Sequence, residues 1–199
     1  MKKFFLLLML GPVLSFTLIT IDALEIGAQL PKADHIMKDI SGKSVSFNNV
    51  KTKAGLLVMF SCNTCPWVIR NQSRTKEICT YAQSKGIGVI LLNSNEGDRN
   101  GGDSYEAMQL YAKEQSYNWY YVVDKNSEVA DAFGADRTPE CFLFDGNNKL
   151  VYHGAIDDNP QSAQKVSRHH LKEALNELLA GKEVSVKKSR SVGCNIKRI

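Results

Sequence analysis

Apolar runs and polar breaks follow one another at short intervals along this chain of 199 residues. Two uninterrupted apolar runs, residues 55–60 and 86–93, predict buried parallel strands. A third run, residues 119–123, is aromatic and β-branched throughout and predicts another strand. Between the first two, Pro66–Ser84 reads as a helix that carries proline in its first turn, where a missing N–H costs nothing, and turns Val68, Ile78, Cys79 and Ala82 inward. A polar, glycine-rich loop at 94–103 precedes a helix that Asp103 or Ser104 can cap and that runs to about Gln115. Residues 124–127 turn into a short helix, Glu128–Phe133, and residues 141–144 and 150–153 flank the hairpin turn Asp145-Gly146-Asn147-Asn148. A last amphipathic helix at 167–180 places Leu171, Ala174, Leu175, Leu178 and Leu179 on one side. Upstream, residues 24–31 form an extended lead-in, and residues 35–40 and 44–47 flank Ser41-Gly42-Lys43, a hairpin signal.

The opening segment departs from this pattern. Lys2 and Lys3 precede an almost wholly apolar run from Phe4 to Ile21, the layout of a secretory signal with Ala23 as the best cleavage position. The competing reading is an uncleaved anchor, because residues 4–21 approach membrane-spanning length. The expected organisation is a signal at 1–23, one domain at 24–181, and a basic tail at 182–199 carrying Cys194, with a solvated tail as the default. The whole chain has a net charge of +4; losing residues 1–23 removes two of 25 basic and one of 21 acidic side chains and leaves +3. So mild a balance gives no reason to expect nucleic acid as a partner. An exported chain works in an oxidising compartment, at the periplasm or the extracytoplasmic face of the membrane, where a dithiol needs a dedicated membrane or periplasmic redox partner.

Candidate chemistry centres on Cys62-Asn63-Thr64-Cys65-Pro66-Trp67, a pair of cysteines two residues apart at a strand-to-helix junction. Backbone N–H groups and the helix dipole favour negative charge there, and the thiolate is the reactive form of cysteine. A zinc site would need a second pair of ligands at suitable spacing, and the sequence has none; no metal or other cofactor is expected. The second signal is Thr138-Pro139 with Glu140, just before the strand at 141–144. The element order, parallel βαβ units followed by an antiparallel hairpin and a helix, is that of an α/β thioredoxin fold: three layers, α/β/α, around a central mixed sheet, with an N-terminal extension and an insertion.

Residues 60–68, 93–95, 103–107, 138–145, 152–159 and 193–197 together resemble the peroxiredoxin-like branch of the thioredoxin superfamily, the alkyl hydroperoxide reductase/thiol-specific antioxidant or redoxin group. The resemblance extends over residues 26–199 and rests on Cys-Asn-x-Cys-Pro, Tyr-x-Gly-x-Ile-Asp-Asp and a terminal Gly-Cys-x-Ile-Lys. It implies a cis proline at Pro139 whose preceding backbone pairs with an extended substrate. It also implies a choice of chemistry. Cys65-Pro66 matches the peroxidatic cysteine of true peroxiredoxins, but Cys62 stands where they carry threonine or serine, and Pro139 stands near their arginine, with Arg137 two residues away. Thiol–disulfide exchange on protein substrates is therefore the expected activity. Cys62, expected to be the more exposed, attacks, and Cys65 resolves.

Around this pair, Trp67 is either an apolar rim for a protein substrate or packing under the helix. Glu140 is either a buried acid serving the dithiol or an exposed strand-edge residue, the latter being the default. Cys79 and Cys141 read as small core residues, while Cys194 reads equally as a third redox thiol folding back towards Cys62 or as an exposed or locally packed cysteine. Asp157-Asp158 reads by default as a cap on the following turn, and otherwise as a cation ligand or a shaper of the site rim. Two other functions stay open: a thiol peroxidase with Cys65 as the peroxidatic cysteine, and, without catalysis, a copper-delivery module using Cys62, Cys65 and His153.

Overall fold

A computed structural model describes residues 23–199. The apolar segment at 4–21, and with it the question of signal or anchor, lies outside the described residues. The three apolar runs form β3 (Leu56–Ser61), β4 (Gly88–Asn93) and β5 (Tyr120–Val123), parallel neighbours at the centre of a seven-stranded sheet. The N-terminal hairpin, β1 (Met37–Asp39) and β2 (Ser44–Val45), adds antiparallel to β5. The C-terminal hairpin, β7 (Glu140–Phe144) and β8 (Leu150–Gly154), adds antiparallel to β3, for an order β2-β1-β5-β4-β3-β7-β8. The second strand of the first hairpin is shorter than the sequence suggests. Ser46 caps a short helix, α1 (Phe47–Val50), so Phe47 packs from a helix into the core instead of extending the strand.

Alternation along the strands divides the core. Leu57, Met59, Val89, Leu91, Tyr121, Cys141 and Leu143 face α2 (Pro66–Ser84), α3 (Tyr105–Glu114) and α5 (His170–Leu179). Leu56, Val58, Phe60, Ile90, Leu92, Val122, Phe142 and Phe144 face α1 and α4 (Glu128–Phe133), where Phe133 meets Phe60, Phe142 and Phe144 edge to face. The result is the expected three-layer α/β/α thioredoxin fold. All four inward positions expected on α2 are buried, and Cys79 and Cys141 are core residues. On α5 the apolar stripe is narrower than its leucines suggest: Leu171, Ala174 and Leu175 are buried, but Leu179 in the last turn is exposed.

The residues after α5 are not the solvated tail that their charge suggests. Lys187 O accepts from His153 N and His153 O from Ser189 N, so the chain runs beside β8. Val184, Ser191 and Ile196 are buried, and β9 (Cys194–Asn195) pairs antiparallel with β6 (Arg137–Thr138), the short strand before β7. Six basic residues between 182 and 198 disguise a packed segment, because Lys187, Lys188, Lys197 and Arg198 find acidic partners on the domain or the tail itself.

Asp157 caps the following turn as expected, its Oδ1 accepting from Asn159 N at 3.0 Å, and it carries a second role that the sequence did not suggest. It takes the Arg74 guanidinium at 2.6 and 2.8 Å, and both side chains are buried. Arg74 also donates to Asn159 O and Pro160 O, so the pair ties α2 to the loop after β8. Removing one member of a buried pair leaves the other charge unmatched, and Asp157→Ala should lower unfolding free energy by about 3–5 kcal/mol in urea titrations, with Arg74→Met plus Asp157→Leu recovering most of it.

Candidate active site

The site is built where β3 ends and α2 begins. β3 lies between two sheet neighbours, so its C-terminal end can deliver a loop only upward out of the sheet, and Ser61 hands the chain to Cys62-Asn63-Thr64-Cys65. Cys65 is the residue before the first helical turn, and Pro66 occupies that turn. The N–H groups of Thr64 and Cys65 favour the charged form of Cys62. Both cysteines are buried, at 1% exposure for Cys62 and 4% for Cys65, against Val68 and the half-buried Trp67 and Cys194. Trp67 thus packs against the cysteines, and the Arg70 guanidinium lies over its ring at 5.1 Å.

Thr138, joined to Pro139 by a cis peptide bond, meets both sulfurs. Its Oγ1 is 3.3 Å from Cys62 Sγ and its carbonyl oxygen 3.4 Å from Cys65 Sγ. Its backbone partner across the β6–β9 ladder is Cys194, and Cys194 is disulfide-bonded to Cys65, with the two Cα atoms 6.0 Å apart. Cys194 therefore does fold back to the site, but its bond is to Cys65, not to Cys62, which is free. The expectation that Cys62 is the exposed member of the pair does not hold in this state: Cys62 is buried in a cluster with Cys65 and Val68, against which Trp67 and Cys194 pack.

Beneath the cysteines runs a polar network that sequence reasoning missed. Asp103, taken from the sequence as a candidate helix cap, is fully buried under the loop, and Ser104 caps α3 instead. Asp103 Oδ1 accepts from Asn63 N at 2.7 Å and Asn93 Nδ2 at 2.9 Å; Oδ2 accepts from Asn95 Nδ2 at 2.8 Å and Thr64 Oγ1 at 3.2 Å. The Tyr121 hydroxyl donates to Asn63 Oδ1 and accepts from Asn93 Nδ2. The polar 94–103 loop thus folds inward to hold the Cys62–Cys65 loop from below. The available signal was the cluster of asparagines and an aspartate at 93–95 and 103, too polar for the run of buried strand beside it.

These surroundings decide the state of Cys62. Burial pushes its thiol above the ordinary value; the Thr138 hydroxyl pulls it down, the Asp103 charge pushes it up, and the N–H groups of Cys65 and Thr64 pull it down again, without overcoming burial. In this closed arrangement Cys62 rests as a thiol, not as the thiolate that helix position alone suggests. The buried Cys79 and Cys141 thiols are pushed up further by the same cause.

Glu140 is not an exposed edge residue. It is buried, Oε2 accepts from the N–H groups of Asp136 and Arg137, and Oε1 lies 2.7 Å from His153 Nε2, whose ring stacks on Phe142. Glu140 therefore shapes the turn ahead of Pro139. The same contact commits His153, the third ligand of a copper site, to Glu140, and among the described residues no three His, Cys, Asp or Glu side chains converge as a metal site. The Arg137 guanidinium grips Asp136 at 2.6 Å through two nitrogens and donates to Ser191 O, so it is engaged away from the sulfurs.

Because Asp103 raises the Cys62 pKa and Thr138 lowers it, Asp103→Asn should move the titration of the Cys62 Cβ carbon-13 resonance to lower pH and Thr138→Val to higher pH. In the wild type the midpoint should lie above that of an unperturbed cysteine thiol. A folded pKa above the unfolded one means that the folded chain holds the proton more tightly. The matching stability is present below the ordinary cysteine pKa and is lost as pH rises through the raised folded value, which pH-resolved urea titrations would register.

The Redoxin family model matches residues 25–171. A solved structure of an uncharacterized conserved protein from Geobacillus kaustophilus superimposes with TM-score 0.82 at 33% identity, covering 88% of this chain and 93% of that one. A hypothetical protein from Sinorhizobium meliloti 1021 superimposes with TM-score 0.81 at 30% identity, covering 89% and 97%. A curated relative, the thiol-disulfide oxidoreductase ResA of Geobacillus thermodenitrificans, is 23% identical over 128 residues, 64% of this chain and 68% of the relative. A family match across most of the chain, over a thioredoxin fold that gathers cysteines at a strand-to-helix junction, makes this protein a member of the Redoxin family and an oxidoreductase of the thiol–disulfide class.

Proposed function

We propose that the protein is an exported oxidoreductase that uses Cys62 and Cys65 to reduce or isomerise disulfides of extracytoplasmic proteins. The observation that carries this is the meeting of both sulfurs on Thr138, one on its hydroxyl and one on its carbonyl, immediately before Pro139. Two sulfurs held on one residue can pass a single partner sulfur between them once Cys65 is reduced. A donor dithiol first reduces the Cys65–Cys194 disulfide, leaving Cys65 and Cys194 as thiols. Cys62 thiolate then attacks the substrate disulfide, forming a mixed disulfide and releasing one substrate sulfur as a thiolate that takes up a proton; Cys65 thiolate attacks Cys62 Sγ, and the Cys62–Cys65 disulfide forms as the second substrate thiol leaves. Thr138, Pro139 and Glu140 position the partner strand, Pro66 starts the helix behind Cys65, and Trp67 supplies apolar surface. A membrane or periplasmic dithiol returns the two electrons. The curated relatives carry the name thiol-disulfide oxidoreductase, in line with this chemistry. Export rests on the composition of residues 1–23, and residues 4–21 would hold the protein to the membrane if they are retained. Among the described residues no helix is long and apolar enough to cross a membrane.

A peroxidase reading has one observation in its favour: Cys65 is bonded to a distant cysteine, the product formed when a sulfenic acid on Cys65 is resolved by Cys194. Against it, Arg137 is tied to Asp136 rather than aimed at a developing oxyanion. Insulin reduction with a dithiol donor should fall to background in both Cys62→Ser and Cys65→Ser, and the Cys62–Cys65 pair measured in Cys194→Ser should have a potential closer to about −270 mV than to about −120 mV. Peroxide consumption lost in Cys65→Ser and kept in Cys62→Ser would replace this function with the peroxidase. Absence of a reversible Cys62–Cys65 disulfide would remove it.

A further inference from the structure

The last residues of the chain are seated on the site by every position of the motif Gly193-Cys194-Asn195-Ile196-Lys197. Gly193 passes so close to Thr138 that a Cβ added there would lie inside contact distance of the Thr138 carbonyl oxygen and carbon, both backbone atoms that cannot swing away. Cys194 is bonded to Cys65 and pairs with Thr138 across the ladder. Asn195 is exposed and pairs with Arg137 across the ladder, while Ile196 is buried in the α4 side of the core and donates its N–H to Asp136 O. Lys197 donates its N–H to Asn95 Oδ1, its carbonyl accepts from Gly97 N, and its ammonium meets Asp98 at 3.0 Å and Thr64 Oγ1 at 3.5 Å. The Asp98 contact holds the Lys197 pKa above its ordinary value, so the clamp is charged across the working pH range. A strand held by backbone pairing on one side, an apolar anchor and an ion pair, with its cysteine on a site sulfur, is arranged as a bound cysteinyl peptide would be.

We propose that residues 191–197 are an internal substrate strand and that Cys194 is a third redox cysteine, exchanging with Cys62 for possession of Cys65. The inference rests on the Cys62–Cys65 dithiol reading given above. In the exchange, Cys62 gives up its proton and its thiolate attacks Cys65 Sγ. The Cys62–Cys65 bond forms, the Cys65–Cys194 bond breaks, and Cys194 leaves as a thiolate that takes up a proton. Three sulfurs keep one disulfide throughout, so no electrons enter or leave. The direction of least resistance for outside reagents is set by burial: Cys62 and Cys65 are shut in, and Cys194 is the only one of the three residues with appreciable exposure. A donor dithiol attacks Cys194 Sγ first, expelling Cys65 thiolate, while a protein substrate reaches Cys62 and the Arg137–Thr138 edge only after the strand has left. A tethered strand competes at an effective concentration on the order of mM, enough to exclude weak, unspecific partners.

The test uses the full chain, equilibrated in glutathione buffers of several poises, acid-quenched, alkylated and mapped by peptide mass spectrometry. In the wild type both Cys65–Cys194 and Cys62–Cys65 disulfides should appear, in a ratio that does not change with glutathione poise, because the two are isomers. Cys62→Ser should retain only Cys65–Cys194, and Cys194→Ser only Cys62–Cys65. Gly193→Val, which keeps all three cysteines but pushes the strand off Thr138, should move the ratio towards Cys62–Cys65 by roughly tenfold or more, as expected when an intramolecular effective concentration is lost. A wild type with Cys62 free in every buffer would make the Cys65–Cys194 bond purely structural and overturn the exchange. Failure of Cys62→Ser to form Cys65–Cys194 would overturn the internal strand. Either failure leaves the Cys62–Cys65 disulfide of Cys194→Ser intact, whereas failure of the dithiol reading removes it from that variant.

Discussion

Everything at this site hangs on Thr138. Its hydroxyl faces one sulfur, its carbonyl faces another, and its backbone pairs with the residue that carries the third. One residue can do this because β6 ends beside the C-terminal end of β3, where the sheet delivers the Cys62–Cys65 loop, and because Pro139 cannot extend the ladder with an N–H of its own. An unpaired strand edge beside reactive sulfurs attracts other strands. In this chain the edge is filled from within, which keeps it from open solvent and sets the terms on which any partner gains access.

A second constraint lies below the sulfurs. Asp103 takes four donors, two from the Cys62–Cys65 loop and two from Asn93 and Asn95, in a place fully removed from water. A carboxylate so buried is tolerated only when its lone pairs are occupied, and in return it fixes the loop that it binds. Its charge also acts on Cys62, in opposition to the helix N-terminus. Burial and this charge together keep the Cys62 thiol protonated in the closed arrangement. Glu140 plays the matching part on the other side, holding the turn before Pro139 through two backbone N–H groups and His153.

Much of the fold could be read along the chain. The helix at Pro66–Ser84, the central strands and the C-terminal hairpin all follow from spacing and turn residues that act over a few positions. Errors fell where a local signal is overruled by distant packing. Phe47 leaves its strand because Ser46 caps a helix that drops the ring beside Phe133. Glu140 looks like an edge residue until His153 arrives from β8. The tail looks solvated by composition, yet its charges are spoken for and its few apolar residues are the anchors.

The sequence by itself determined the α/β/α layering and the position of two cysteines at a strand-to-helix junction, since periodicity and turn chemistry are properties of neighbouring residues, while the proline opposite them followed from the family resemblance. It left two things open that only the tertiary structure decided, which cysteine Cys194 joins and which acid sits beneath the loop, and it pointed the wrong way on a third, the exposure of Cys62. Cys65 and Cys194 are separated by 129 residues, Asn63 and Asp103 by 40, and Cys62 and Thr138 by 76. Contacts at such separations depend on where the sheet order and the crossovers carry the chain, and no pattern of adjacent residues encodes that.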